Sequence, residues 1–274
     1  MAEYPKPVAR SEPKQAPPEE SVDRSRADVG IVAALKLEID PFLQQLDRVK
    51  RYAGGDFTYR GGFLKDIRIA TVESGAGHKR AERATHALID AHAPQWLLSI
   101  GFAGALNDDL HIGDVVVAHR IVPANVPAEA DAGLRIDIKM PPDPKKGLHV
   151  GRIATAEHIV HTVDEKRTIA QRTGAIAVDM ESLAVAEVCR ERKVRFIAVR
   201  GISDDCSADL PSEVLSVLGG TGSIRAGAVV GALWKRPSCY KDMWQLRQNA
   251  SRAAERLAWF LSSMLRQMVE PKGW

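Results

Sequence analysis

Four polar or glycine-rich segments stand where apolar runs of the chain end: Lys36–Glu38, Ser74–Gly77, Asp179–Glu181 and Ser203–Asp205. Three of them carry carboxylates. If the apolar runs are strands of one open α/β sheet, their carboxyl ends share a rim, and ligands of such sheets bind there. Carboxylates placed in unlike surroundings can divide the work of acid and base. Each residue also has a plainer reading. Glu38 could be a solvated residue of a first helical turn, where negative charge is favoured. Glu181 and Asp204 could be helix caps, and Asp205 a cap or a network partner of Asp204.

The elements that would position these groups follow from the apolar pattern. Val29–Leu35 is continuously apolar, as expected of a strand covered on both faces. A helix follows, with Pro41 expected in its first turn. Ile67–Glu73 is a second buried strand, broken by Gly75-Ala76-Gly77 before a helix from about Lys79 to Ala91. Further strands are expected at Gln95–Gly101, Val115–His119, Gly151–Thr155, Ala175–Met180 and Val194–Arg200. Helices are expected over about Ala156–Arg172 and Ser182–Lys193. This alternation predicts a single-domain, three-layer αβα fold with a central mixed, mostly parallel sheet. Ile121–Gly147 reads as a long loop with a short strand at Leu134–Ile138. Tyr240–Met268 reads as an amphipathic helix packed on the sheet, its apolar stripe running through Met243, Leu246, Ala250, Ala253, Leu257, Leu261, Met264 and Met268. Residues 1–27 are rich in proline and charge, and read as a disordered tail before a folded domain over 28–274.

Composition narrows the partners. The chain has 274 residues and a net charge of +3, from 38 basic and 35 acidic side chains, so no strong field attracts nucleic acid. No apolar run is long enough to span a bilayer. Three cysteines without CxxC spacing indicate neither a disulfide framework nor a zinc site, which makes the cytoplasm the default location. His158 and His161 lie one helical turn apart but have no third ligand at a suitable spacing, so neither a metal nor any cofactor is expected.

The acidic segments sit in a longer pattern. Val178-Asp179-Met180-Glu181-Ser182, then Val199-Arg200-Gly201-Ile202-Ser203-Asp204, resembles the signature of the purine nucleoside/uridine phosphorylase superfamily. Upstream, Ser99-Ile100-Gly101-Phe102-Ala103-Gly104-Ala105-Leu106 and Gly113-Asp114-Val115-Val116-Val117 resemble that family's central glycine motif and the strand after it. The first strand with Glu38 is similar to the methylthioadenosine/S-adenosylhomocysteine nucleosidase branch. These matches run from about Val29 to Asp205 in the family's order; each is weak alone and the set is strong.

The resemblance implies an N-ribosyl hydrolase acting on a purine nucleoside, with adenine the expected base. Cleaving that bond builds positive charge on the sugar and negative charge on the departing base. Asp204, by its place in the Ile-Ser-Asp segment, would protonate N7, a role that requires a carboxyl still holding its proton near neutral pH. Met180 and Glu181 would hold the ribose, the carboxylate accepting both hydroxyl protons. Glu38 would activate water. Gly104 and Phe102 of the glycine motif, Ile159 and Val160 after the Gly151–Thr155 strand, and Ser203 complete the expected substrate contacts. No phenylalanine follows that strand, so His158 or Ile159 would have to lie against the base. A homodimer is implied by the resemblance alone.

Water is preferred over phosphate as co-substrate on two grounds. Phosphorylases of the superfamily commonly carry an arginine just before the glycine motif, where this chain has Ser99, and a glutamate facing the nucleophile repels an anion. Lys36, His78, Lys79, Arg80 and the N–H groups of Ser74–Gly77 keep phosphate open. A further resemblance, over Thr162–Lys166, Thr173–Ala175 and Asp209–Pro211, is to a branch associated with hopanoid synthesis, which removes adenine from a ribosylated lipid precursor. Trp234, Trp244 and Trp259 would suit a large apolar 5′-group and suit a plain core equally well. From other classes, a catalytically idle nucleoside-binding domain stays open. A dinucleotide oxidoreductase fits worse, because Gly75-Ala76-Gly77 lacks the third glycine and the later acidic residue.

Overall fold

In the computed structural model the described residues are 26–130, 132–210 and 239–269. The predicted tail falls almost wholly outside them, as does Trp234. One mixed sheet organises the rest. Its strands are β1 (Val29–Ala33), β2 (Asp47–Gly54), β3 (Phe57–Leu64), β4 (Ile67–Glu73), β5 (Trp96–Ala105), β6 (Val115–Pro123), β7 (Leu134–Arg135), β8 (Leu148–Thr155), β9 (Ala177–Asp179) and β10 (Arg195–Asp204). The helices are α1 (Lys36–Leu43), α2 (His78–His92), α3 (Val163–Thr173), α4 (Ser182–Glu191) and α5 (Cys239–Val269).

The sheet runs β2-β3-β4-β1-β5 and then closes on itself: β5 pairs both β9 and β10, and β10-β6-β8-β9 completes a ring. Strand β5 makes this possible by changing neighbours. It pairs β1 in parallel up to Ile100, and β9 in antiparallel from Gly104. Between those points, at Gly101–Ala103, the sheet forks at the carboxyl ends of β1, β4 and β5. A change of neighbours of this kind opens the crevice where open α/β sheets bind ligands. Helices α1 and α5 cover one face over a core of Ile31, Phe42, Leu98, Leu257 and Leu261. Helices α2 and α4 cover the other, over Val32, Leu88, Leu97 and Val185.

Several boundaries differ from the sequence reading. Helix α1 starts at Lys36, so Pro41 stands in its second turn rather than its first. The start is early because the Glu38 carboxylate folds back to accept the Leu35 N–H at 2.7 Å, the reciprocal half of a capping box. Residues 156–162 are not helical; α3 begins at Val163, where the Thr162 hydroxyl accepts the Glu165 N–H. The Ala156 N–H is instead taken by the Asp179 carbonyl, which extends the β8–β9 pairing. Strand β10 runs on through Ser203 to Asp204.

The β2–β3 hairpin has no counterpart in the sequence reading. Strand β2 is exposed along nearly its whole length, so it has no apolar alternation to read. With this hairpin, parallel and antiparallel pairings are equally represented among the described residues. The parallel ones lie at the centre. Helix α5 forms as expected, but only its second half is fully packed: Ala253, Leu257, Leu261 and Met264 are buried, while Leu246 and Ala250 are half-buried.

Candidate active site

Glu38 enters the fork from the first turn of α1. One carboxylate oxygen accepts the Leu35 N–H and the other accepts the Phe102 N–H at 2.9 Å. A Cβ at position 101 would stand 2.7 Å from its Oε1, so only glycine lets the carboxylate reach β5. Glu38 is 5% exposed and burial raises its pKa, outweighing the two N–H bonds and the more distant Arg200 charge. The solvated reading of this residue does not hold.

Glu181 approaches from the turn between β9 and α4. Its Oε1 accepts the Gly77 N–H at 2.7 Å, at the N-terminus of α2. Gly77 lies at φ +101°, a backbone region that side chains strain to adopt, so a glycine is what turns this N–H toward the carboxylate. Burial first, then the charges of Asp179 and Glu38, push the Glu181 pKa up to about 8; Arg200 and the Gly77 N–H pull the other way. Glu38 thus adds to the negative surroundings that keep the proton on Glu181, after Asp179.

Asp179 does different work. Its carboxylate takes the Arg200 guanidinium at 2.7 Å, the Thr155 hydroxyl at 2.8 Å and the Ser182 N–H at 3.0 Å, and it is buried. Arg200, 1% exposed, spends its remaining donors on the Ser99 hydroxyl and the Val199 carbonyl. Ser99 thus anchors the end of this buried network under the fork.

Asp204 ends β10. The strand is irregular between Ile202 and Asp204, and this shift sets Asp204 opposite Gly104 of β5. Its Oδ1 accepts the Ser203 hydroxyl at 2.8 Å. Its Oδ2 accepts Lys166 Nζ at 2.5 Å, and the same ammonium donates to the Asp205 carbonyl at 2.6 Å. A Cβ on residue 104 would stand 2.8 Å from Asp204 Oδ2. Asp205 closes a turn by accepting the Ser207 N–H and hydroxyl, which lowers its pKa.

Glu38, Glu181 and Asp204 thus share the carboxyl rim, with Phe102 and Gly104 on the strand between them. Phe102 contributes its backbone N–H, and its side chain is half-buried, as are Met180 and Ile159. Val160 instead packs among Leu106, Val122, Ala154 and Val178. His158 is turned to solvent and bonded to Glu165 at 2.7 Å, so of the two side chains expected against the base Ile159 is the less exposed. Among the cations weighed for phosphate, Lys36 pairs with Asp40 and His78 with Glu187, whereas the Arg80 side chain lies beside Gly75. Trp244 and Trp259 are largely exposed. Two surface depressions lie elsewhere: about 490 Å³ lined by Asp47, Arg48, Phe63, Lys65 and Asp66 at the opposite end of the strands, and about 360 Å³ along α5. Among the described residues no group of His, Cys, Asp and Glu is placed to hold a metal ion, and no helix is long and apolar enough to cross a membrane.

Lys166 is the residue that sequence reasoning missed as part of the site. It sits between Glu165 and Arg167 in a run that reads as solvated surface. Its spacing to Ile169 and Thr173 puts it on the buried stripe of α3, and a charge on that stripe was the available signal.

The family model of the Phosphorylase superfamily matches residues 28–219. The chain belongs to this superfamily. It is 26% identical over 225 residues to the 5′-methylthioadenosine/S-adenosylhomocysteine nucleosidase of Shewanella loihica, covering 75% of this chain and 98% of that one. The corresponding nucleosidase of Maridesulfovibrio salexigens is 28% identical over 206 residues, covering 68% and 89%. Among solved structures, the Helicobacter pylori nucleosidase with butyl-thio-DADMe-Immucillin-A superposes with a TM-score of 0.63 at 24% identity, covering 88% of this chain and 99% of that one. Futalosine hydrolase of the same organism gives 0.63 at 23%, covering 87% and 97%. These superpositions establish the nucleoside phosphorylase-like fold.

Proposed function

We propose that the protein hydrolyses the N-ribosyl bond of an adenine nucleoside such as 5′-methylthioadenosine or S-adenosylhomocysteine. The observation that carries this reading is the pair of carboxylates at the fork, Glu38 buried and Glu181 half-buried, each held by backbone N–H groups and neither bonded to a cation among the described residues. Glu38 in its ionised form repels phosphate and deprotonates water, and Glu181, which holds its proton up to about pH 8, can both accept from and donate to the ribose hydroxyls. The names of the relatives support the same substrates. In this reading Glu38 is the base, Glu181 and Met180 hold the ribose, and Asp204 with Ser203 serves the leaving base. Gly104, Phe102 and Ile159 shape the wall, while Val160 lies in the core behind them. The chain is placed in the cytoplasm on its cysteine pattern, Cys189 and Cys206 being free and buried, and as a homodimer on the family resemblance.

Product chromatography tests the reading, with methylthioadenosine, adenosylhomocysteine, adenosine and inosine, each with and without phosphate. Free adenine without phosphate is expected from the first two. Base release only with phosphate would establish a phosphorylase, and tight binding without release a sensor domain.

A second reading, adenine removal from a ribosylated lipid precursor, draws on one contact. The stretches that resemble the hopanoid-associated branch touch each other beside the acid: Asp209 accepts the Val163 N–H at 2.7 Å, the Leu210 N–H meets the His161 carbonyl, and Lys166 reaches Asp204. Turnover of an adenosyl lipid in detergent, exceeding that of methylthioadenosine, would favour it.

A further inference from the structure

Lys166 is 0% exposed, and its ammonium has two acceptors, Asp204 Oδ2 at 2.5 Å and the Asp205 carbonyl at 2.6 Å. Removing an ammonium from water costs several kcal/mol, and replacing such a pair by apolar packing is often neutral or stabilising. A fold that needed only stability would have no use for it at this position. Gly104 adds a second observation, because any side chain there would collide with Asp204 Oδ2 and come within 3.5 Å of the lysine Cε. The strand is thus kept bare where the pair meets the fork.

The pair also raises a chemical question. A carboxylate held by an ammonium accepts protons, whereas the reaction proposed above requires a donor at N7 of the base. We infer that Lys166 positions Asp204 and supplies, through it, the proton that the leaving base takes. The ammonium–carboxylate pair and the amine–carboxylic acid pair carry the same net charge, so a proton can move between them without creating charge in a dry site. As the C1′–N9 bond breaks, its electron pair stays on the base. N7 takes a proton from Asp204, Asp204 takes one from Lys166 Nζ, and Glu38 takes one from the water whose oxygen bonds to C1′. Lys166 ends one proton poorer and Glu38 one richer; exchange with solvent restores both.

This inference rests on the nucleosidase reading, and the test separates the two. Lys166→Arg keeps the charge but cannot release a proton, since a guanidinium stays protonated in proteins. Lys166→Met removes both. Each variant is assayed on methylthioadenosine and on p-nitrophenyl riboside, whose leaving group departs without protonation, with thermal melting as a check on folding. Both variants should lose ~10²–10⁴-fold in kcat on the nucleoside, the usual worth of a general acid, while nitrophenyl riboside turnover stays near that of the wild type. Lys166→Arg retaining nucleoside turnover would overturn the inference, because charge alone would then suffice. Equal loss on both substrates would also overturn it, as the mark of a structural lysine. If Lys166→Arg does not fold, Lys166→Met decides by the same split. A wild-type protein that releases base from no nucleoside would instead refute the nucleosidase reading.

Discussion

The two ends of the fork use one residue type in opposite ways. At the Glu38–Glu181 end, carboxylates are held by backbone N–H groups, and burial raises the pKa of both. At the Asp204 end, a carboxylate is held by a hydroxyl and a buried ammonium. The first arrangement suits groups that gain protons as reaction proceeds, and the second suits a group that passes one on. The role of an acidic side chain is set by what faces it, which is the general rule for assigning acid and base.

The sharpest way to break this contrast is at the base end. Glu38→Gln should reduce turnover of methylthioadenosine and of p-nitrophenyl riboside alike, by ~10²–10⁴-fold, because either leaving group still requires activated water. A loss confined to the nucleoside would move Glu38 to the other end of the reaction. The glycines come next. A Cβ at Gly101 would stand 2.7 Å from the Glu38 carboxylate, and one at Gly104 2.8 Å from that of Asp204. Relieving either clash must shift the carboxylate, and a misplacement of about 1 Å can cost roughly 10²-fold. Gly101→Ala should slow both substrates and Gly104→Ala mainly the nucleoside, which steady-state kinetics on the two would distinguish.

A smaller effect concerns stability. An unfolded Glu181 ionises near 4.5, the ordinary value for a glutamate, and the folded one at about 8. The folded state therefore holds an extra proton between those values. The associated stability is complete below the lower value and is lost as pH rises through the upper one. Glu181→Gln removes the titration, so the Tm of the wild type should fall relative to this variant between about pH 5 and about pH 9. A constant difference would mean that Glu181 is not a buried proton carrier.

Much of this arrangement could be read from residue order. The central strands announce themselves as continuous apolar runs because both faces are covered, and the acidic segments follow where those runs stop. The β2–β3 hairpin escaped because an exposed edge has no burial to enforce alternation. The segment 156–162 escaped because its ends bond at a distance, the Ala156 N–H to Asp179, 23 residues away, and the His161 carbonyl to the Leu210 N–H. Lys166 escaped for a related reason. Its meaning lies in Asp204, 38 positions later, and only folding brings α3 against the end of β10.

The division of labour between the two ends is tested most directly by Asp204→Asn, measured as the ratio of kcat on methylthioadenosine to kcat on p-nitrophenyl riboside. The account predicts a ratio at least ~10²-fold below that of the wild type, with nitrophenyl riboside turnover little changed in the folded variant and a lower Tm, because Lys166 loses its carboxylate partner. An unaltered ratio would contradict it, since Asp204 would then have no part in the departure of the base.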